Sequence, residues 1–355
     1  MNVTATDLSS EPTTDEYEYP DTPPCDYDTF ESFKHIIKPV LYSFTFSFGF
    51  VGNVLVMIVL VCCKKLSTMT DVYLLNMAIS DMIFVFSLPF VVYTVRDHWV
   101  FGLAMCKILS ALYFTGFYAG IFFIVIMSVD RYLAVVHVVF SLKVRTFNWG
   151  IIISVITWVI AFLFSIPMFS IHQVQGDKGQ ESCSIVFPEN SIINWKLFPY
   201  ISINIFGLIV PLGFLMFCYS QIIRSLYKSK NKQKRYAIRL ILIVVIVFFI
   251  FWSPYNVTLF LHMLKKLNII KGCEVGQRLE LAFDVTETLT FVHCCLNPVI
   301  YAFAGEKFKK YLKEIINKPF RWMKKSNIRK SFQSSVTDRM SSSSKDTRAS
   351  SVTEI

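Results

Sequence analysis

Asp81, Asp130, Arg131, Asp284 and Glu287 are charged side chains set inside otherwise apolar stretches, with His262 and His293 in similar surroundings. A carboxylate facing hydrocarbon costs about 2.5–3.5 kcal/mol on insertion scales, so each is expected to face inward, toward a partner or a ligand. Their spacing points to different chemistries. Asp130-Arg131-Tyr132 is an ionic triplet at the end of the third apolar stretch. Asp284 and Glu287 are three apart and share a helix face near the outer leaflet, where they suit a cationic ligand group or an internal partner. Asp81 is expected to meet Asn53 and Asn297, and is a candidate sodium ligand. Trp252 precedes Pro254 by two residues, which places a bulky ring beside a flexible point of the backbone. No nucleophile–base pair falls on one side of the apolar stretches, so enzyme chemistry is not expected, and no cofactor is implied. No paired Cys/His spacing suggests a metal centre either.

The elements that must position these groups are seven apolar stretches, at 39–63, 71–95, 103–136, 147–170, 196–226, 236–264 and 281–303. Each has about the 20 residues that a 1.5 Å rise per residue needs for a 30 Å hydrocarbon layer. With 54% hydrophobic residues, 34 Phe and a mean hydropathy of +0.50, a soluble protein of 355 residues could not hide this surface. The expected fold is an all-α membrane protein, a bundle of seven transmembrane helices in the lipid bilayer. Every span from the second to the seventh except the third contains a proline (Pro89, Pro167, Pro211, Pro254, Pro298), each favouring a kink.

Lys and Arg set the orientation. With the N-terminus extracellular and the C-terminus cytoplasmic, twenty lie in the inner loops and proximal tail against nine outside. Residues 1–37 contain no apolar core, so no cleavable signal peptide is expected and the first span acts as the signal. The chain divides into an acidic, disordered outer tail (1–37), the membrane domain (38–304), a short amphipathic eighth helix on the membrane surface (305–320) and a disordered Ser/Thr-rich cytoplasmic tail (321–355).

The net charge of +10 hides a strong asymmetry. Residues 1–31 hold nine acids and no Lys or Arg. The outer tail is therefore read as a solvated spacer or as an electrostatic lure for a basic partner; nucleic acid is not implied. Tyr17, Tyr19 and Tyr27 sit beside acids, the setting for tyrosine sulfation, and Asn2 opens a glycosylation sequon. Four of the nine Cys fall outside (Cys25, Cys106, Cys183 and Cys273), which allows three pairings. Joining Cys106 to Cys183 would pin the long second outer loop over the bundle, and Cys25 would then tie the tail to Cys273.

Taken in order, Gly52-Asn53, Asn76 with Asp81, Cys106, Asp130-Arg131-Tyr132, Trp158, Pro211 with Tyr219, Phe251-Trp252-Ser253-Pro254 and Asn297-Pro298-Val299-Ile300-Tyr301 resemble a rhodopsin-like G-protein-coupled receptor over residues 25–320. Asp130 to His137, Phe291 to Pro298, Gly305-Glu306-Lys307-Phe308 and the four outer cysteines resemble CC chemokine receptors, with subtypes eight and four the most similar. The resemblance implies that Arg131 leaves Asp130 on activation to meet an inhibitory heterotrimeric G protein, with Tyr219 and Tyr301 swinging in. It also implies that Tyr42, Tyr113 and Glu287 line the pocket for the N-terminus of a basic CC chemokine. Two departures are Val91, where most of the family has Trp, which implies a wider minor pocket, and Gly120, where many rhodopsin-like receptors carry a serine for sodium.

No Lys lies in 281–303 for a retinal Schiff base, and no repeated halves suggest a transporter. The alternative within the fold is a scavenging or constitutively active chemokine receptor, of host or virus-captured origin; the intact Asp130-Arg131-Tyr132 favours signalling. From Ser326 onward the tail carries 13 Ser or Thr, a substrate for receptor kinases whose phosphates would attract arrestin. Thr353-Glu354-Ile355 fits a loose PDZ-ligand pattern.

Overall fold

The computed structural model describes residues 33–64, 66–177, 179–187, 196–227, 232–304 and 309–310. Residues 1–32 of the acidic tail, most of the expected eighth helix and the Ser/Thr-rich tail lie outside the described residues.

Seven long helices form the bundle: α1 (Phe33–Lys64), α2 (Met69–Arg96), α3 (Gly102–Val136), α4 (Phe147–Ile171), α5 (Phe198–Asn204, continued through Ile205–Ile209 and Val210–Tyr227), α6 (Lys232–Lys266) and α7 (Cys273–Ala304). The first six include stretches long and apolar enough to cross a membrane. All seven lie where apolar runs place them, but most extend past their expected ends. The first starts at Phe33, inside the segment expected to be tail, and α7 at Cys273 instead of 281. Residues 273–280 are too polar for a hydropathy signal, yet a helix satisfies its own backbone groups beyond the bilayer. Arg278 and Glu274, one turn apart and 2.5 Å from each other, support that projecting end.

Helix ends and breaks follow the local sequence. Thr68 caps α2 in a capping box with Asp71, which also pairs with Lys64 across the first inner loop. Ser87 interrupts α2 just before Pro89, and a π-helical turn at Ile205–Ile209 precedes Pro211 in α5. Pro167, Pro254 and Pro298 sit inside their helices.

The centre of the bundle is α3, packed against α2, α4 and α5. Gly116 sets the α2–α3 distance: a Cβ there would lie 3.0 Å from the Ser80 carbonyl oxygen and from the Phe84 amide nitrogen. The fourth helix reverses the pattern of a soluble protein. It buries Gly150, Ser154, Thr157, Ala161 and Ser165, and turns Ile152, Val155, Val159, Phe162 and Ile166 outward. Small residues allow close helix approach where no water drives association.

Two short antiparallel strands, β1 (His172–Gln175) and β2 (Ser182–Ile185), form the second outer loop, with Val174 opposite Cys183. Cys183 is bonded to Cys106 near the outer end of α3. The Trp99 amide donates to the Glu181 carbonyl at 2.6 Å, which fixes the loop a second time.

Candidate functional site

Groups of interest gather at three depths. At the outer end a cavity of about 710 Å³ opens between the helices beneath the β1–β2 hairpin, lined among others by Val91, Tyr113, His172, Tyr255, Phe283 and Glu287. It exceeds the lower range of ligand sites, about 300 Å³, more than twofold. The His172 imidazole is held below its ordinary pKa by burial, and its Nδ1 lies 2.7 Å from the Met168 carbonyl.

Tyr42, Asp284 and Glu287 come together, with an additional member, and of the three only Glu287 lines the cavity. Lys38 Nζ lies 2.5 Å from Asp284 Oδ1 and 3.0 Å from Glu287 Oε2, and Tyr42 donates its hydroxyl to the same Glu287 oxygen at 3.0 Å. Tyr113 and Glu287 line the cavity wall, whereas Tyr42 stands behind Glu287 and is fully buried. In the sequence Lys38 counts only as one of the nine outer Lys and Arg. The available signal was its place one turn before Tyr42, which puts both on one helix face.

From Tyr113 an aromatic column runs inward. Phe84 lies 4.7 Å from Tyr113 and 5.9 Å from Trp252, centroid to centroid, and Trp252 packs on Phe117 at 4.8 Å and Phe248 at 5.8 Å. Trp252 and Pro254 thus lie in α6 at mid-depth, the ring 4% exposed.

Below them Asp81 accepts a 2.8 Å hydrogen bond from Asn297, next to Pro298, as expected. The expected Asn53 contact to Asp81 is replaced: the Asn53 amide donates to the carbonyls of Gly49 (2.9 Å) and Cys294 (3.1 Å), because it reaches across α1 to α7 before it reaches Asp81. Ligand atoms of Asp81, His293 and Cys294 lie within 4.8 Å of one another beside a void of about 20 Å³. Sodium prefers a shell of oxygens, whereas these neighbours present nitrogen and sulfur, and Gly120 offers no donor. The residues fit sodium poorly.

At the inner end Asp130 is 3% exposed and draws three partners. Arg145 contributes Nε at 2.6 Å and Nη2 at 3.1 Å, Thr70 donates its hydroxyl at 3.1 Å, and Arg131 Nη2 lies 3.5 Å away. Arg131 also donates to the Thr70 hydroxyl at 2.5 Å. Asp130 and Arg131 are therefore close, as expected, but the tightest cation on Asp130 is Arg145, one of the twenty inner Lys and Arg of the sequence. Tyr132 points elsewhere, its hydroxyl 2.9 Å from His137 Nε2 and its ring against Phe217. Both Tyr219 and Tyr301 are buried, and the latter donates to Met77 Sδ at 3.4 Å.

Of the outer cysteines, Cys106 and Cys183 are joined, with Cα atoms 5.6 Å apart. Cys25, Asn2, Tyr17, Tyr19 and Tyr27 lie outside the described residues, so the Cys25–Cys273 pairing stays an expectation.

A seven-helix bundle with an outward cavity, a buried carboxylate at mid-depth and an ionic cluster at the inner end defines a class, and the match is direct. Residues 52–301 match the family described as 7 transmembrane receptor (rhodopsin family), and the chain belongs to that family as a multi-pass membrane protein. Within it the chain belongs with the C-C chemokine receptors. It is 48% identical to C-C chemokine receptor type 8 of Homo sapiens over 88% of each chain. To type 4 of Homo sapiens it is 48% identical over 84% of this chain and 83% of the relative, and to type 1 of Homo sapiens 46% identical over 86% of each.

Proposed function

We propose that this receptor takes a basic CC chemokine at its outer face and activates an inhibitory heterotrimeric G protein at its inner face. One observation carries the reading: the Glu287 carboxylate lines a cavity of about 710 Å³ from which aromatic rings run to Trp252. A chemokine's free N-terminal amine needs an anionic partner in a desolvated site, and Glu287 is placed to supply it. The nine acids of residues 1–31, with sulfation at Tyr17, Tyr19 and Tyr27, would gather a basic ligand before insertion. A panel of purified CC chemokines is applied to transfected cells, with and without pertussis toxin. At least one should release calcium and drive chemotaxis, and the toxin should abolish both. Full responses under the toxin would remove the inhibitory class.

The Glu287→Gln variant should lose potency about tenfold or more, the scale of a buried charge-assisted contact, while affinity falls less because long-range attraction to the acidic tail is retained. Equal losses in affinity and potency would argue against this two-step order. Receptor kinases and arrestin would act on the tail. Truncation after Asn327 removes twelve of the thirteen hydroxyl residues from Ser326 onward, and should slow internalisation and prolong signalling. Normal arrestin recruitment by that truncation would show the reading to be wrong. Thr353–Ile355 is the proposed PDZ contact.

A further inference from the structure

The carboxylate assigned to the ligand's amine already holds an amine. Lys38 and Tyr42 face α7 one turn apart on α1, while Asp284 and Glu287 face α1 three residues apart on α7. The Lys38 ammonium sits 2.5 Å from Asp284, 3.0 Å from Glu287 and 5.5 Å from the Tyr42 ring centroid. The residue is 8% exposed. A cation taken that far from water is stable only while its partners stay in place, so removing either side leaves uncompensated charge. Chemically, a lysine ammonium on a flexible stem presents to Glu287 what a ligand's N-terminal ammonium would present.

We propose that Lys38 is a built-in competitor for Glu287, and that exchanging its ammonium for the ligand's amine is the step that loosens the outer end of α1 from α7. The inference rests on the reading of Glu287 given above. Two consequences follow from electrostatics alone. An arriving amine meets a like charge at 3.0 Å from its target oxygen, so the unliganded receptor rejects weak cations and admits only ligands held in place by other contacts. The same exchange removes one of the two ties between helices far apart in sequence, since Lys38 is 249 residues from Glu287, and leaves Lys38 held by Asp284 alone.

The test uses the most potent chemokine from the panel above, with its N-terminus free or acetylated, on cells matched for surface receptor. Lys38→Met should raise the potency of the free-amine chemokine about five- to tenfold by removing the repulsion, and should leave the acetylated form unimproved. Lys38→Arg, which keeps the charge, should stay near wild type. In a Glu287→Gln background, Lys38→Met should bring no gain. Should Lys38→Met fail to reach the surface, the double variant Lys38→Met/Asp284→Asn removes one buried charge of each sign and should give the same gain. Unchanged or weaker potency of the free-amine chemokine on Lys38→Met, or on Lys38→Met/Asp284→Asn where only that variant reaches the surface, would overturn the competitor role and leave Lys38 as a simple helix tie. If Glu287→Gln alone has no effect on potency, the assignment of Glu287 itself fails, whatever Lys38 does.

Discussion

Replacing Arg131 with alanine should leave chemokine binding near wild type and sharply reduce nucleotide exchange on the G protein. The Arg131 side chain is 17% exposed and held by Thr70 at 2.5 Å and Asp130 at 3.5 Å, too far from the outer cavity to touch a ligand there. Truncating one partner of a buried charge contact costs about 2–5 kcal/mol, so coupling should fall on the order of a hundredfold. Asp130→Asn should act in the opposite direction. It weakens the hold on Arg131 and on Arg145 together, and ligand-free exchange should rise. Purified receptor in nanodiscs with labelled nucleotide measures both, and wild-type exchange by the Arg131→Ala receptor would sink the assignment.

Cys183→Ala should abolish high-affinity binding and lower the thermal midpoint of the purified receptor. The bridge to Cys106 closes a segment with a sequence separation of 77, for which chain entropy gives a ceiling of about 4–5 kcal/mol. The membrane already confines α3 and α4, so the measured loss should fall below that ceiling. The larger effect is local. Without the bridge, β2 retains its pairing to β1 and the Trp99–Glu181 bond, but loses its anchor to α3 beside the cavity. Saturation binding and a midpoint equal to wild type would show that the bridge holds nothing the hairpin does not already hold.

The spans were legible because a bilayer demands long apolar runs, and those runs need no knowledge of partners. Helix ends were less so: residues 273–280 are polar, and only the Arg278–Glu274 pair hints that the helix continues. The inward carboxylates were legible one by one from their cost in hydrocarbon, but their partners were not. Lys38 lies 246 residues from Asp284, and Arg145 looks like any loop cation until the chain after α3 folds back on Asp130. Asn53 misled for the same reason, since its amide had two backbone carbonyls within reach. Short-range patterns reveal a group's burial; which group meets it depends on helix packing that period and composition do not encode.

The reversed face of α4 has a practical consequence. Its outward residues, Ile152, Val155, Val159, Phe162 and Ile166, and its inward ones, Gly150, Ser154, Thr157, Ala161 and Ser165, form separate sets. The outward set answers mainly to the surrounding solvent, and the inward set to neighbouring helices. Exchanging the outward Ile, Val and Phe residues for Thr and Tyr should therefore change which liquid this helix tolerates more than it changes the helix's packing.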